Sequence, residues 1–231
     1  MNKTLKVTAY GVKDGVLYCG NTEEWSVKGG LMERLETAYA TISEEKSQKM
    51  CMLLVDMLFY GAQAQTTFGT AEADGLVTEG LDAKYLEWRT SADPELTAEN
   101  DISARAENTM YRYNLGLQEA VTMQMTFYLA QDYVYGEYTV KISHDGKVYE
   151  YNEADWSVKS GKNIVVVFDK LGAADMRDEV TIELWRNGQL VSPVYKASIA
   201  GVAKINVDGD KNVTLVKAMM AYGDSAKNYL G

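Results

Sequence analysis

Histidine, cysteine and proline are scarce in this chain, and each scarcity excludes something. The one histidine, His144, sits in Ile142-Ser143-His144-Asp145-Gly146 between two strand-like runs. A Ser–His–Asp or Cys–His arrangement needs a base that works near neutral pH, and histidine is the usual one. A single histidine beside an Asp-Gly hairpin turn reads instead as a solvated loop residue. The cysteines, Cys19 and Cys51, lack the C-x-x-C spacing of a zinc site, so no metal is expected. They are compatible with one disulfide or with two free thiols, Cys51 lying on an apolar helix face. Pro94 and Pro193 are the only prolines, which leaves no Pro-rich linker. Gly11, Gly15 and Gly20 lack the spacing of a phosphate-binding loop, and no cofactor is expected. No run reaches the ~18 apolar residues of a membrane-spanning helix. No charged-then-apolar leader follows Met1, which leaves a cytoplasmic chain or a piece cut from a longer precursor. Positive charge is also short: 23 Lys and Arg against 33 Asp and Glu give −10. Nucleic acid and an anionic membrane surface would both be repelled.

What is present is a globular composition with a skewed aromatic set. Hydrophobic residues make up 46% of the 231, enough for a real core. Tyrosine occurs 16 times, against 4 Trp and 4 Phe. Its apolar body and polar tip suit sheet surfaces and binding faces.

Residues 3–10 alternate as a strand does, Lys13-Asp14-Gly15 turns the chain, and 16–27 reads as the second strand of a hairpin. From Gly30 the period changes: Leu31, Met32, Leu35, Ala38, Tyr39 and Ile42 recur at helical spacing. Ser43 is the expected cap of a second helix running to about Phe68, with Gly69 as its stop. Residues 70–108 are acidic and irregular, with one helix-like patch at Leu81–Trp88. From about Asn108 the pattern is β. Val121, Met123, Met125, Phe127 and Leu129 alternate with polar partners, and Ile164–Phe168 reads as a central strand. Asp145-Gly146 and Asn187-Gly188 are hairpin turns, the second leading into a strand over Leu190–Ser198. A last helical stripe runs from Val213 to Leu230. About seven short strands predict an Ig-like antiparallel β-sandwich. The fold class expected is α+β, with that sandwich, a flanking helical part and an N-terminal β-hairpin that extends a sheet or caps the helices. Residues 1–107 form the hairpin, helical segment and irregular connection, and 108–231 the sandwich with its C-terminal helix.

The chain also resembles itself. Leu53–Gly69 aligns without a gap with Leu215–Gly231, matching Leu53/Leu215, Met57/Met219, Tyr60/Tyr222, Gly61/Gly223 and Ala64/Ala226. Val7-Thr8, Gly15 and Leu17 align with Val180-Thr181, Gly188 and Leu190. A hairpin followed by a Tyr-Gly helix therefore occurs at both ends, and the first hairpin looks like the last two strands of another sandwich. A further match, Trp25-Ser26-Val27-Lys28 with Trp156-Ser157-Val158-Lys159, is consistent with chance in strand-like sequence.

Three stretches carry a resemblance beyond the chain. Leu54-Val55-Asp56-Met57-Leu58-Phe59-Tyr60-Gly61-Ala62-Gln63-Ala64-Gln65 resembles the LLVDMLNYGAAAQ motif of repeated modules in large secreted and cell-surface proteins of clostridial gut anaerobes. Leu171–Thr181 is similar to their GIAAKDMSDEVT stretch, and Leu215–Ala226 to their LVKAMMKYGDSA ending. Phe59 and Gln63 depart from the usual Asn and Ala. The resemblance implies an extracellular or cell-surface, multidomain setting with neighbouring modules of the same polypeptide. It supplies no catalytic residue. Some surface proteins of such bacteria bind host immunoglobulin, and others carry carbohydrate-binding modules.

Candidate chemistry is sparse. Asp208-Gly209-Asp210-Lys211-Asn212 begins like a calcium loop, but Val213 stands where glycine is required and Met219 where glutamate is. It reads as a polar turn before the last helix. Acid pairs such as Glu23/Glu24 and Asp132/Glu137 are expected of a solvated surface rather than of a glycosidase. The segment Gln131–Tyr138 is rich in tyrosine and joins two strands, and Tyr133 and Tyr135 would point the same way if extended. These two are the candidate binding residues, for a host protein (immunoglobulin the leading case) or for a glycan stacking on an exposed Trp88, Trp156 or Trp185. A pure spacer is the third expectation, and no enzyme is expected.

Overall fold

The computed structural model describes residues 4–70, 75–117 and 121–231. Lys3, the first residue of the expected hairpin, and residues 71–74 of the irregular connection lie outside them. The chain forms two compact units, one of Met1–Asp93 with Lys217–Gly231 and one of Pro94–Val216. The last helix, grouped with the sheets in the sequence, thus gives most of its length to the first unit.

In the first unit, β1 (Thr4–Lys13) and β2 (Val16–Ser26) form a two-stranded antiparallel sheet. Asp14 and Gly15 turn between them at φ 54° and 76°, the left-handed pair that a twisted hairpin needs. The expected extension of a larger sheet is not found: among the described residues this sheet has only these two strands. Its large apolar side chains stand in solvent, from Trp25 at 50% exposure to Tyr10 at 77%. Its base meets helix, where Trp25 Nε1 lies 3.3 Å from the place of a Cβ on Gly30.

Helix α1 (Val27–Ala40) begins earlier than its apolar period suggests, because Ser26 Oγ accepts the Gly29 N–H at 2.9 Å and starts the first turn there. The chain breaks at 41–44 and resumes as α2 (Glu45–Phe68). Its cap position is Glu44 rather than Ser43, without a side-chain bond. Gly69, left-handed at φ 63°, ends α2 as expected. Leu31 and Leu35 of α1 pack with Leu54, Val55 and Leu58 of α2, joined by Val77 and by Tyr85 from the single turn α3 (Ala83–Leu86). Each fully buried leucine here contributes about 1.5–3 kcal/mol. Gln65 fixes the connection by accepting the Val77 N–H at 2.8 Å. Both thiols are free; Cys19 is exposed, and Cys51 is buried, which pushes its pKa up.

The second unit holds nine strands among the described residues: β3 (Thr109–Leu117), β4 (Val121–Tyr128), β5 (Tyr138–His144), β6 (Lys147–Tyr151), β7 (Val158–Ser160), β8 (Asn163–Phe168), β9 (Val180–Arg186), β10 (Gln189–Leu190) and β11 (Tyr195–Ala197). One sheet runs β3-β4-β8-β7. The other runs β10-β9-β5-β6, with β11 also on β9. Every pairing is antiparallel. Asp145-Gly146 and Asn187-Gly188 have the same left-handed pair of φ values as the first hairpin. Met123, Met125, Phe127, Ile164, Val166, Val140, Ile142, Ile182 and Leu184 are sealed from solvent, as alternation predicts. Phe168 of one sheet meets Tyr149 of the other edge-on at 5.4 Å. The expected strand Leu190–Ser198 is instead two short pieces with Pro193 between them.

Helix α4 (Ile199–Asp208) was not expected; Ser198 caps it through the Gly201 N–H at 3.0 Å, and it packs on β3 and β4. Asp208–Asn212 then bends into α5 (Val213–Leu230), with Asp210 and Asn212 at positive φ and Asp208 paired back onto Lys204 at 2.6 Å. Within the first unit, Tyr222 of α5 stacks on Tyr60 of α2, the repeat-equivalent tyrosine, at 5.9 Å and 7° between ring planes. No helix among the described residues is long and apolar enough to cross a membrane.

Candidate functional site

The tyrosine-rich segment lies between β4 and β5. Leu129 leaves β4 with its N–H on the Lys162 carbonyl at 2.7 Å, and Leu129 and Ala130 are buried. The chain then surfaces at Gln131 and returns through a 3-10 turn at Tyr135–Glu137. Arg186, the last residue of β9, clamps this loop. Its guanidinium donates to Asp132 Oδ1 at 3.0 Å, to the Asp132 carbonyl at 3.0 Å and to Glu137 Oε2 at 2.8 Å. The carboxylates hold the guanidinium pKa above its usual range, and Arg186 pulls that of Asp132 down. The Asn187 N–H closes the end of the loop onto the Glu137 carbonyl at 2.8 Å.

The two candidate tyrosines do not project as an extended strand would project them. The turn folds them together, rings 5.0 Å apart and tilted by 45°. Tyr135 donates its hydroxyl to the Gly161 carbonyl at 2.6 Å and meets Trp156 edge-on at 5.8 Å. Loss of solvent, then Tyr133 and Glu153, push the Tyr135 pKa up. Both tyrosines are half-buried, and Val134 between them is 57% exposed. The result is a small apolar rim on a tied loop. The nearby acids are occupied: Asp132 and Glu137 by Arg186, Glu153 by Lys159 at 3.2 Å. The corner can offer ring edges and an aliphatic side chain to a partner; it holds no nucleophile with a base beside it.

The other candidates separate in the same way. Trp156 is only 6% exposed, so it supports Tyr135 and is no open platform. Trp185 is half-buried beneath Lys141, whose ammonium lies 4.7 Å from the ring centre, and Trp88 is half-buried. Trp25, not among the proposed platforms, is the most open of the four. Glu23 and Glu24 are neighbours on β2 and point to opposite faces. His144 is not the solvated loop residue its position suggests. Its side chain is 13% exposed, and Nε2 lies 3.8 Å from Asp178 Oδ2 in a polar depression with Lys147, Lys170 and Asp175. The 171–179 turn brings the acids there, far from His144 in sequence. Among the described residues no cluster of three or more His, Cys, Asp or Glu could hold a metal ion.

Comparison with protein-family models, with curated proteins and with solved structures finds no match for this chain.

One buried polar group escaped the sequence reading. Asp56, on the apolar stripe of α2, is 1% exposed and accepts the Thr90 N–H at 3.2 Å. Burial pushes its carboxyl pKa up, while Thr90, Ser225 and the Arg89 charge pull it back. Its Oδ2 has no hydrogen bond, nor has Trp88 Nε1, Arg89 Nε or Thr90 Oγ1. Arg89 instead lies over the Phe59 ring at 4.0 Å. A lone Asp inside a helical apolar run was the available signal.

Proposed function

We propose that this chain is a non-catalytic module of a bacterial cell-surface or secreted multidomain protein that binds a host protein, immunoglobulin being the leading case. The observation that carries the proposal is the Tyr133–Val134–Tyr135 rim: an apolar surface held in one shape by the Arg186 clamp and the Tyr135–Gly161 hydrogen bond. A pre-ordered loop loses little entropy on binding, and tyrosine is enriched at protein-binding hot spots. Burial of Trp156 and the cover over Trp185 favour a protein partner over a stacked sugar. The strand orders β3-β4-β8-β7 and β10-β9-β5-β6 support an Ig-like sandwich, whose end loops are common binding sites. The three motif stretches at 54–65, 171–181 and 215–226 support the surface setting.

The test is capture from host secretions with and without glycan competitors. Antibody recovered regardless of sugar supports the proposal, and elution by a simple glycan replaces it with carbohydrate binding. Tyr133→Ala with Tyr135→Ala should weaken capture by about 1–3 kcal/mol. Unchanged affinity in a folded double variant would remove the rim from the site.

A further inference from the structure

Two stretches of the chain follow one plan in one order. β1, the Asp14-Gly15 turn, β2, Ser26 and α1 are repeated as β9, the Asn187-Gly188 turn, β10–β11, Ser198 and α4. Each serine caps its helix through the glycine three residues on, Gly29 at 2.9 Å and Gly201 at 3.0 Å. Each helix is followed by a Tyr-Gly helix.

Their surroundings differ. Val180, Ile182 and Leu184 of β9 are 0% exposed, and β5 pairs along the edge of β9 away from β10 and β11. The aligned Val7, Ala9 and Gly11 of β1 are exposed, Val7 at 58%. Strand alternation and the pairing register put Leu5, Val16, Tyr18 and Trp25 on the same face, together with Glu23 opposite Val7 and Lys13 opposite Val16. Among the described residues β1 pairs with β2 alone, so the edge that β5 covers in the other copy is open. The first residues of the helices differ likewise: Ile199 of α4 is buried, whereas Val27, aligned with it, is 40% exposed.

The glycines sharpen the contrast. A Cβ on Gly201 would collide with Asn100. That side chain brackets Ser198, accepting its N–H at 2.9 Å and donating to its carbonyl at 3.2 Å. A Cβ on Gly29 would meet only the Ser26 cap oxygen within 4 Å. At position 29 the close neighbour is the cap oxygen of the same turn, 3.1 Å from that Cβ, and no described residue stands where Asn100 stands over Gly201.

We propose that β1, β2 and the first turn of α1 are the closing elements of a second two-sheet unit of the Pro94–Val216 kind. A strand equivalent to β5 would pair along the outer edge of β1, and core side chains would cover the Leu5–Val7–Ala9 face. An asparagine equivalent to Asn100 would bracket Ser26 over Gly29. The inference deepens the multidomain part of the proposed function and is independent of any host ligand.

The test is a tandem chain in which a second copy of residues 94–179 runs directly into Val7 and on to Gly231. Hydrogen exchange is compared with that of the 231-residue chain. The β1 amides not bonded to β2 should slow by at least about 100-fold, as core strands do, and Trp25 should lose access to a soluble quencher. Val7→Lys in the tandem should restore fast exchange, and Thr8→Lys, on the opposite face, should not. A second tandem carrying Ala9→Ile and Gly11→Leu restores the side chains of β9. Protection in either tandem supports the proposal, and fast exchange in both overturns it. A 231-residue chain that already dimerises with β1 protected also overturns it, by giving the face to a second copy. Host-protein capture is measured on the 231-residue chain alone, so failure of that function and failure of this docking are told apart.

Discussion

Val27 opens α1 at 40% exposure and Ile199 opens α4 at 1%, yet both helices start one residue after a capping serine and follow the same kind of hairpin. Local chemistry therefore suffices to write the secondary structure in both copies. A left-handed Asp-Gly or Asn-Gly pair closes the hairpin, and a serine hydroxyl satisfies an amide at the helix start. Burial is added by neighbours. β9 has β5 at its side, and α4 has β3 and β4 beneath it. The matching hairpin at the start of the chain keeps its shape with its apolar side chains in water, while α1 buries Leu31 and Leu35 against α2.

Paired core substitutions should separate the two copies most strongly. Ile199→Ala should cost about 2–5 kcal/mol, the range for a sealed aliphatic side chain, whereas Val27→Ala should stay within about 0.5 kcal/mol. Urea unfolding followed by a probe in each unit reads both. Equal losses would mean that α1 is as enclosed as α4. The caps come next. Ser198→Ala removes a buried hydroxyl and should cost about 1–2 kcal/mol, and Ser26→Ala about 0.5–1 kcal/mol. Similar large losses at both would show that the exposed hairpin depends on its helix more than its surroundings suggest.

The smallest effect concerns the other repeat, where Asp56 of α2 occupies the place of Ala218 of α5. The fold raises the Asp56 pKa, so the folded protein holds that proton more tightly than the unfolded chain does. The resulting destabilisation is absent below the unfolded value of about 3.9, grows as pH rises towards the raised folded value, and is constant above it. Asp56→Asn keeps an acceptor for the Thr90 N–H and removes the ionisation. Its unfolding midpoint should exceed that of the parent at neutral pH, and the gain should vanish near pH ~4. A gain that is the same at both pH values would deny the carboxylate its cost.

Much of this architecture was legible where one residue type has one conformational use. All three X-Gly turns, the Gly69 stop and the alternation of β4 could be read because left-handed backbone and period-two burial leave local marks. α4 was hidden: Ile199, Val202, Ile205 and Val207 are β-branched and follow a strand-like run, and the helix is set by its cap and by packing on β3 and β4. The tetrapeptide Trp-Ser-Val-Lys makes the same point. At 25–28 it ends a strand and caps a helix, while at 156–159 it leads into β7. At the tyrosine corner, sequence identified the loop but not its shape. The clamp comes from Arg186 and the ring support from Trp156 and Gly161, none of which is near Tyr133 in sequence.

The open edge of β1 also bears on how this protein behaves when concentrated. A strand with unpaired amides is a template for adding further strands, and sheets guard against this with charge, proline, bulges or a covering element. β1 has no proline, and by alternation Lys6 belongs to the face opposite Leu5 and Val7, where it pairs with Glu24 at 2.8 Å. The guards on the Leu5–Val7 face are Lys13, Glu23 opposite Val7 and the register shift between Thr8 and Tyr10. A further charge at Val7, which stands 58% exposed, would strengthen those guards without touching either core.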